Sequence, residues 1–383
     1  MIRSVDRILT THCGSLPRPA DLLDLMKARL SDQPYDVAAY DERVRTAVRE
    51  VVRRQVEHGL DVVTDGEQGK LGFFTYVNER LEGFEPGQGG FNRYEAEVRA
   101  FPEYYRDYFS RAMMGGTVVP MRPAVCVGPV RYRGHDAVRR DIENLKAALE
   151  GQPYVEAFLP AVAPSGVGSN RYYRTEEEYL LAVADALHEE YRAIVDAGLL
   201  LQVDDPFLTD VYGDPTLTAE EKRRKADRYA EAINHALRGI PADRVRFHTC
   251  YGINEGPRVH DAPLRDVLPS VLRIKAGALS FEAANPRHEH EYHVFEEVKL
   301  PEGMVLIPGV ITHASNIVEH PELVAERLLR YAKLVGRENV IAGADCGFSS
   351  QATYKPEVDP RVMWAKFQAM AEGARLASRR LWP

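Results

Sequence analysis

Three segments of this 383-residue chain end in side chains of types that can bind metal ions. His248 and Cys250 stand two residues apart in RVRFHTC, Glu282 closes LSFE, and Cys346 closes the last strand, in ADCG. Each segment starts as a short apolar run that reads as a β-strand. Side chains alternate along a strand, so His248 and Cys250 point the same way and can grip one ion. In a parallel barrel the C-terminal ends of all strands meet at one rim, where residues far apart in sequence can converge. One nitrogen, one oxygen and two sulfurs form a mixed donor set that suits zinc. A His-x-Cys pair alone is a weak signal, because a buried Cys commonly behaves as a small hydrophobe. The Glu and Cys at later strand ends are what strengthen it.

The elements that must position these residues follow a repeating pattern. Short apolar runs, DVVTD (61–65), PAVCVG (123–128), VEAFLPAV (155–162), LLLQVDD (199–205), RVRFHTC (244–250), ALSFEAA (278–284), MVLIPGV (304–310) and NVIAGADCG (339–347), read as strands. Helical stretches lie between them, among them Glu42–His58, Thr175–Ala197, Thr218–Arg238 and Pro321–Val335, the last three opening on a Thr or Pro start signal. Eight such strands predict an α/β fold, a (β/α)8 TIM barrel, with an open doubly wound sheet as the alternative. From Gly83 to Gly116 the chain is rich in Tyr, Phe and Gly without clean periodicity, which fits a long insertion covering the barrel mouth. No Ser/Gly-rich or charge-block linker interrupts the sequence, so residues 1–383 read as one domain.

Composition narrows the function classes. The chain is 45% hydrophobic and 28% charged, ordinary for a globular protein. A formal charge of −8 argues against a nucleic-acid partner, which would call for a concentrated Lys/Arg face. No stretch reaches the roughly 18 uncharged apolar residues of a membrane span, and the N-terminus lacks a secretory h-region. These features predict a cytoplasmic protein acting on small molecules, with a homo-oligomer left open. Four cysteines, Cys13, Cys126, Cys250 and Cys346, are too few and too spread to be a disulfide framework, so a functional one is a metal ligand or a nucleophile.

FHTCYGIN, LSFE and ADCGF resemble, in order and spacing, the zinc-ligand segments of the cobalamin-independent methionine synthase catalytic domain. CGSLPRP, GLDVVTDGEQ and LLQVDDP are similar to further segments of that family, so the resemblance spans nearly the whole chain. It implies a zinc-dependent S-methyltransferase in methionine biosynthesis, carrying a methyl (alkyl) group to homocysteine from a methylfolate or methylcorrinoid donor. His248, Cys250, Glu282 and Cys346 would hold Zn2+. Ser15, with the backbone around Gly14, would meet the amino acid carboxylate, and Glu67 and Asp204 its ammonium. Without the resemblance, Ser15 reads as a turn residue, Glu67 as a solvated carboxylate and Asp204 as a helix cap. Asp205 departs from the family's usual Glu.

A thiol attacks carbon efficiently only as thiolate, and its pKa near 8.5 leaves little thiolate at neutral pH; coordination to zinc removes that obstacle. Glu282 is the weakest of the four ligands and is expected to move away when the substrate sulfur coordinates. His313, in GVITHASN, is the candidate acid for the leaving group, displaced by one position from the family's His and with Thr312 where an Asp is usual. The two-barrel synthases carry an N-terminal barrel for which this chain has no room, and the family's pterin-stacking Trp is missing, since Trp364 and Trp382 lie near the C-terminus. Single-barrel relatives include epoxyalkane:coenzyme M transferases, whose thiol alkylation is the alternative activity. A non-catalytic zinc-binding protein is a further alternative. Arg287, His288, His290 and His293 form a basic cluster after Glu282 that either lines the donor side or starts a solvated helix.

Overall fold

The computed structural model describes all residues except 32–33, 88–94, 111–115, 119–122 and 253–254. Its strands are β1 (Leu9–Thr10), β2 (Val62–Val63), β3 (Leu81–Pro86), β4 (Ala124–Tyr132), β5 (Glu156–Val162), β6 (Ser169–Asn170), β7 (Leu200–Asp204), β8 (Val245–Thr249), β9 (Ala278–Phe281), β10 (Val305–Ile311) and β11 (Ile341–Ala344). Eight of them form one sheet in the order β1-β11-β10-β9-β8-β7-β5-β2, with parallel pairing throughout. The two ends meet: the Asp61 amide donates to Thr10 O at 3.0 Å and the Thr11 hydroxyl to Val62 O at 2.9 Å. The sheet thus closes into the (β/α)8 barrel.

Burial explains why these segments are strands of a barrel. Every residue of β7, β8, β9, β10 and β11 is buried, as expected of strands covered by helices on one side and a filled lumen on the other. Even Arg246 of β8 lies inside. Its guanidinium crosses the lumen to Thr11 Oγ1 at 2.9 Å and His12 O at 3.0 Å, and covers the Phe158 ring. The helices between the strands start where local chemistry caps them. The Thr175 side chain accepts from the Glu178 amide, Thr218 and Glu221 form a reciprocal capping box, and Pro321 opens the helix Pro321–Val335.

One predicted strand is reassigned. PAVCVG does not enter the barrel: it falls in β4, which pairs antiparallel with β3 and parallel with β6 in a three-stranded side sheet. Past Cys126 this strand alternates between exposed and half-exposed positions until the buried Tyr132, unlike the fully buried barrel strands. The barrel's first strand is β1, Leu9–Thr10, only two residues long and followed at once by the polar Thr11 and His12, too short to show as an apolar run. Part of the Gly83–Gly116 insertion lies outside the described residues. The rest supplies β3 and two short helices, Glu95–Ala100 and Pro102–Tyr108, anchored to rim loops. Tyr104 donates to Glu255 O at 2.9 Å, Glu97 accepts from the His260 amide at 2.6 Å, and Tyr108 bonds Glu357. The insertion therefore contacts the loops that follow β8 and β11 at the barrel mouth.

Candidate metal centre and thiol pocket

The C-terminal ends of β8 and β11 bring His248, Cys250 and Cys346 together. Their ligand atoms all lie within 4.8 Å of one another, and all three residues are buried. The Cys346 thiol donates to Cys250 Sγ at 3.3 Å. That hydrogen bond pulls the Cys250 thiol well below its usual range and, with burial, pushes Cys346 well above. The two sulfurs thus share one proton. His248 is fixed from behind, its Nδ1 lying 3.0 Å from Ser280 Oγ and 3.6 Å from Cys13 Sγ. Its Nε2 is buried with no hydrogen-bond partner. An unpartnered imidazole nitrogen beside two sulfurs is what a metal ligand set requires, with its orientation held by outer hydrogen bonds.

Glu282 follows β9 but falls in a second group, with His313 and Asp345, whose ligand atoms are also within 4.8 Å of one another. Glu282 Oε1 accepts from the Tyr251 amide at 2.8 Å and Oε2 from Asn285 Nδ2 at 2.8 Å. Arg258 Nη2 stands 2.8 Å from the same Oε2, although its N–H is not aligned with it. Burial raises the Glu282 pKa, against the pull of Arg258. Asp345, next to Cys346, accepts from the Ala283 and Ala284 amides at 2.7 Å each and so ties the end of β9 to the end of β11. Burial pushes the His313 pKa down to about 4, and both its ring nitrogens lack partners.

The other half of the rim is built by β1, β2 and β7. Ser15 sits against Gly347, where an added Cβ would come within 2.0 Å of Ser15 Oγ, so only glycine leaves room for that hydroxyl. Glu67 has a left-handed backbone, φ 55°, held by its amide donating to Asp65 Oδ1 at 2.9 Å. This turn aims the carboxylate inward, where Oε2 is buried without a partner. Asp204 ends β7; burial, reinforced by Glu67, raises its pKa to about 8 against the opposing influence of His248, the Gln202 hydrogen bond and Lys70. Burial also raises Glu67, against the nearby Lys70 and Arg18. Arg18, the arginine of CGSLPRP, staples the three loops, donating to Glu67 O at 2.8 Å and Ser349 O at 3.0 Å. Asp205 does the capping expected of its neighbour, Oδ1 accepting from the Phe207 and Leu208 amides.

Residues 8–133 and 162–366 match the family model of the cobalamin-independent synthase catalytic domain. The chain belongs to that family. It is 24% identical to the methionine synthase of Thermococcus kodakarensis, over 97% of this chain and 94% of that protein. It is 23% identical to the 5-methyltetrahydropteroyltriglutamate–homocysteine methyltransferase of Thermotoga petrophila, matching 89% of this chain but 41% of that one. In fold it is similar to a B12-independent methionine synthase from Shewanella sp. W3-18-1 solved with selenomethionine, with a TM-score of 0.73 at 20% identity over 98% of this chain and 99% of that one.

Within this family fold, the barrel gathers His248, Cys250 and Cys346 into one group and leaves Glu282 beside it, not in it. The basic cluster divides. His288 is buried, stacked on Tyr251 at 4.0 Å, with Asp261 and Glu291 on its two nitrogens. Burial disfavours its cation, but those carboxylates outweigh burial and hold its pKa near 9. Arg287, His290 and His293 are exposed. Sequence reasoning assigned no role to Cys13, Ser280, Asn285, Asp345 or Arg258. Cys13, directly before the Gly14–Ser15 pair, and Asp345, directly before Cys346, adjoin segments already singled out; Arg258 carries no motif signal.

Proposed function

We propose that this protein is a zinc-dependent S-methyltransferase that alkylates an amino acid thiol, homocysteine, to give methionine. The single observation that carries this reading is the meeting of two kinds of site at one rim: a buried His–Cys–Cys group and a pair of buried carboxylates. The relatives' names, methionine synthase and homocysteine methyltransferase, support it. Zinc would be held by His248, Cys250 and Cys346, with Glu282 within the neighbouring group. Bound there, it supplies a Lewis acid that keeps a substrate sulfur as thiolate at neutral pH.

The chain's own residues do the rest. Ser15 and the backbone at Gly14 take the substrate carboxylate. Glu67 and Asp204, both raised in pKa by burial, become fully ionised when a cation arrives, and the substrate ammonium is that cation. In the transfer, the sulfur lone pair forms the S–C bond as the donor–carbon bond breaks and its electron pair stays with the donor. A proton must then reach an amine donor. The proton that the substrate thiol gives up balances this step, and His313, neutral at neutral pH, would relay it, accepting at one ring nitrogen as the other donates, with Asp345 and Glu282 beside it. Two amino-group partners favour homocysteine over coenzyme M, which has no amine. The chain would act as one cytoplasmic domain on a methylfolate or methylcorrinoid.

The test is turnover. Zinc-loaded protein is offered homocysteine or coenzyme M with methyltetrahydrofolates, methylcobalamin or a short epoxide, and products are read by mass spectrometry. Methionine from a methyl donor is the expected result. Alkylated coenzyme M alone would reassign the acceptor, and no product from any pair would leave a zinc-binding protein without this activity.

A further inference from the structure

We propose that His12 and Gln55 are a positioning pair beneath the rim that locks the Gly14–Ser15 turn to the Thr64–Glu67 turn, fixing where the pocket receives an amino acid's carboxylate relative to its ammonium. The inference rests on the amino acid thiol reading above. Both side chains are fully buried. Gln55 comes from the helix Val37–Glu57, and backbone groups dictate which way its amide faces. Nε2 donates to Thr64 O at 2.7 Å and to Val51 O at 3.2 Å, while Oε1 accepts from the Thr64 amide at 3.0 Å. Gln55 Oε1 is therefore an acceptor, and His12 Nε2, 2.8 Å away, must carry a proton. Burial, aided by Arg246 and opposed by the Gln55 hydrogen bond, pushes the His12 pKa down to about 4, so at neutral pH the ring holds that one proton only. Nδ1 is left bare and can only accept. It meets the Gly14 amide at 3.2 Å.

One neutral imidazole thus ties Gly14 to Gln55, and Gln55 holds both backbone groups of Thr64. Thr64 opens the second turn: its hydroxyl donates to Asp65 Oδ1 at 3.2 Å, the same oxygen that accepts from the Glu67 amide. The two turns also meet directly, the Leu16 amide donating to Gly66 O at 3.0 Å. They sit close at the pocket itself, where a Cβ placed on Gly14, φ 132°, would lie 3.2 Å from Pro160 Cγ and 3.8 Å from Glu67 Oε1. The carbonyls of the first turn are held across the lumen, His12 O by Arg246 and Cys13 O by Gln202. Its buried Gly14 amide depends on His12 Nδ1. Without that acceptor the amide is left unpaired in the core, and the turn must shift to satisfy it, carrying Ser15 with it.

The test compares two thiols on the zinc-loaded full chain by titration calorimetry: homocysteine, and 3-aminopropane-1-thiol, which keeps the amine and the sulfur but lacks the carboxylate. His12→Phe keeps a ring without nitrogens and should weaken homocysteine binding about tenfold, the scale of one well-made hydrogen bond, while 3-aminopropane-1-thiol changes less than about twofold. His12→Asn retains an acceptor near the Nδ1 position and should stay within about threefold of the wild type for both. Gln55→Met, which frees the imidazole to turn an N–H toward Gly14, should reproduce the selective loss, and combining it with His12→Phe should add little further. Gln55→Met carries the test if His12→Phe does not fold. Equal weakening of both thiols, unchanged homocysteine binding in a folded His12→Phe protein, or a His12→Asn loss as large as that of His12→Phe overturns the inference and leaves the amino acid pocket standing. A wild type that binds the two thiols equally overturns the carboxylate reading itself, and this inference with it.

Discussion

The two halves of the barrel rim solve opposite electrostatic problems. Around His248, Cys250 and Cys346, the surroundings orient the side chains: Ser280 and Cys13 hold the imidazole and the sulfurs share a proton. Around Glu67 and Asp204 two acids are raised in pKa chiefly by burial, Asp204 further by Glu67, with Lys70 near both and Arg18 near Glu67 only partly offsetting it. Lys70 is occupied by Pro160 O, and Arg18 by backbone carbonyls. Each half still calls for a further positive charge, and the charges called for differ. A soft, compact set calls for a metal ion, whereas two hard carboxylates call for an ammonium. A molecule with an amino group at one end and a thiol at the other satisfies both.

The comparison breaks first at the sulfurs. Cys250→Ser or Cys346→Ser should abolish stoichiometric zinc and lower turnover more than about a thousandfold, because a site short of one thiolate loses much of its metal affinity. Metal analysis beside steady-state rates checks it. The opposite half should behave differently: Glu67→Gln or Asp204→Asn should keep zinc and raise the homocysteine KM about 10- to 150-fold, the range for a lost charged hydrogen bond of about 1.5–3 kcal/mol. Ser280→Ala, behind His248, should weaken zinc binding about 10- to 100-fold without a matching change in substrate KM at saturating zinc. Gly347→Ala should move Ser15 and raise KM about tenfold, again with zinc retained.

The smallest effect concerns stability. The Asp204 pKa is near 8 in the fold and about 3.9 in an unfolded chain. Between those values the folded state holds a proton that the unfolded state has lost, so this residue's contribution to stability falls as pH rises from about 4 to 8. Asp204→Asn should therefore stabilise the metal-free protein by at least about 1 kcal/mol at pH 8, with a smaller gain at pH 5. Thermal unfolding at the two pH values measures it; a variant no more stable at pH 8 than the wild type would remove the argument that Asp204 is a strained acid.

How much of this was legible in the sequence follows the same division. Long buried strands such as LLLQVDD and helices with Thr or Pro starts declare themselves by apolar runs and caps, and the structure places them where that pattern puts them. The two-residue β1 does not, because Thr10 and the Thr11 that follows it serve hydrogen bonds to Asp61, Gly59 and Val62 and not apolar packing. PAVCVG misleads because a short apolar run looks alike in a barrel and in a side sheet until its partner is known. His248, Cys250 and Cys346 were visible through their positions at strand ends. Arg258 was not, since its approach to Glu282 depends on how the loop after β8 folds, and no periodicity encodes that.

The central claim is that the His–Cys–Cys group holds a metal which takes the substrate's sulfur while Glu67 and Asp204 take its amine. Zinc X-ray absorption on the purified protein, with and without homocysteine, tests it most directly. The account predicts two sulfur neighbours at about 2.3 Å that become three on adding homocysteine, and no third sulfur in the Asp204→Asn protein at the same thiol concentration. A protein without zinc, or a sulfur count that stays at two in the wild type, would contradict it.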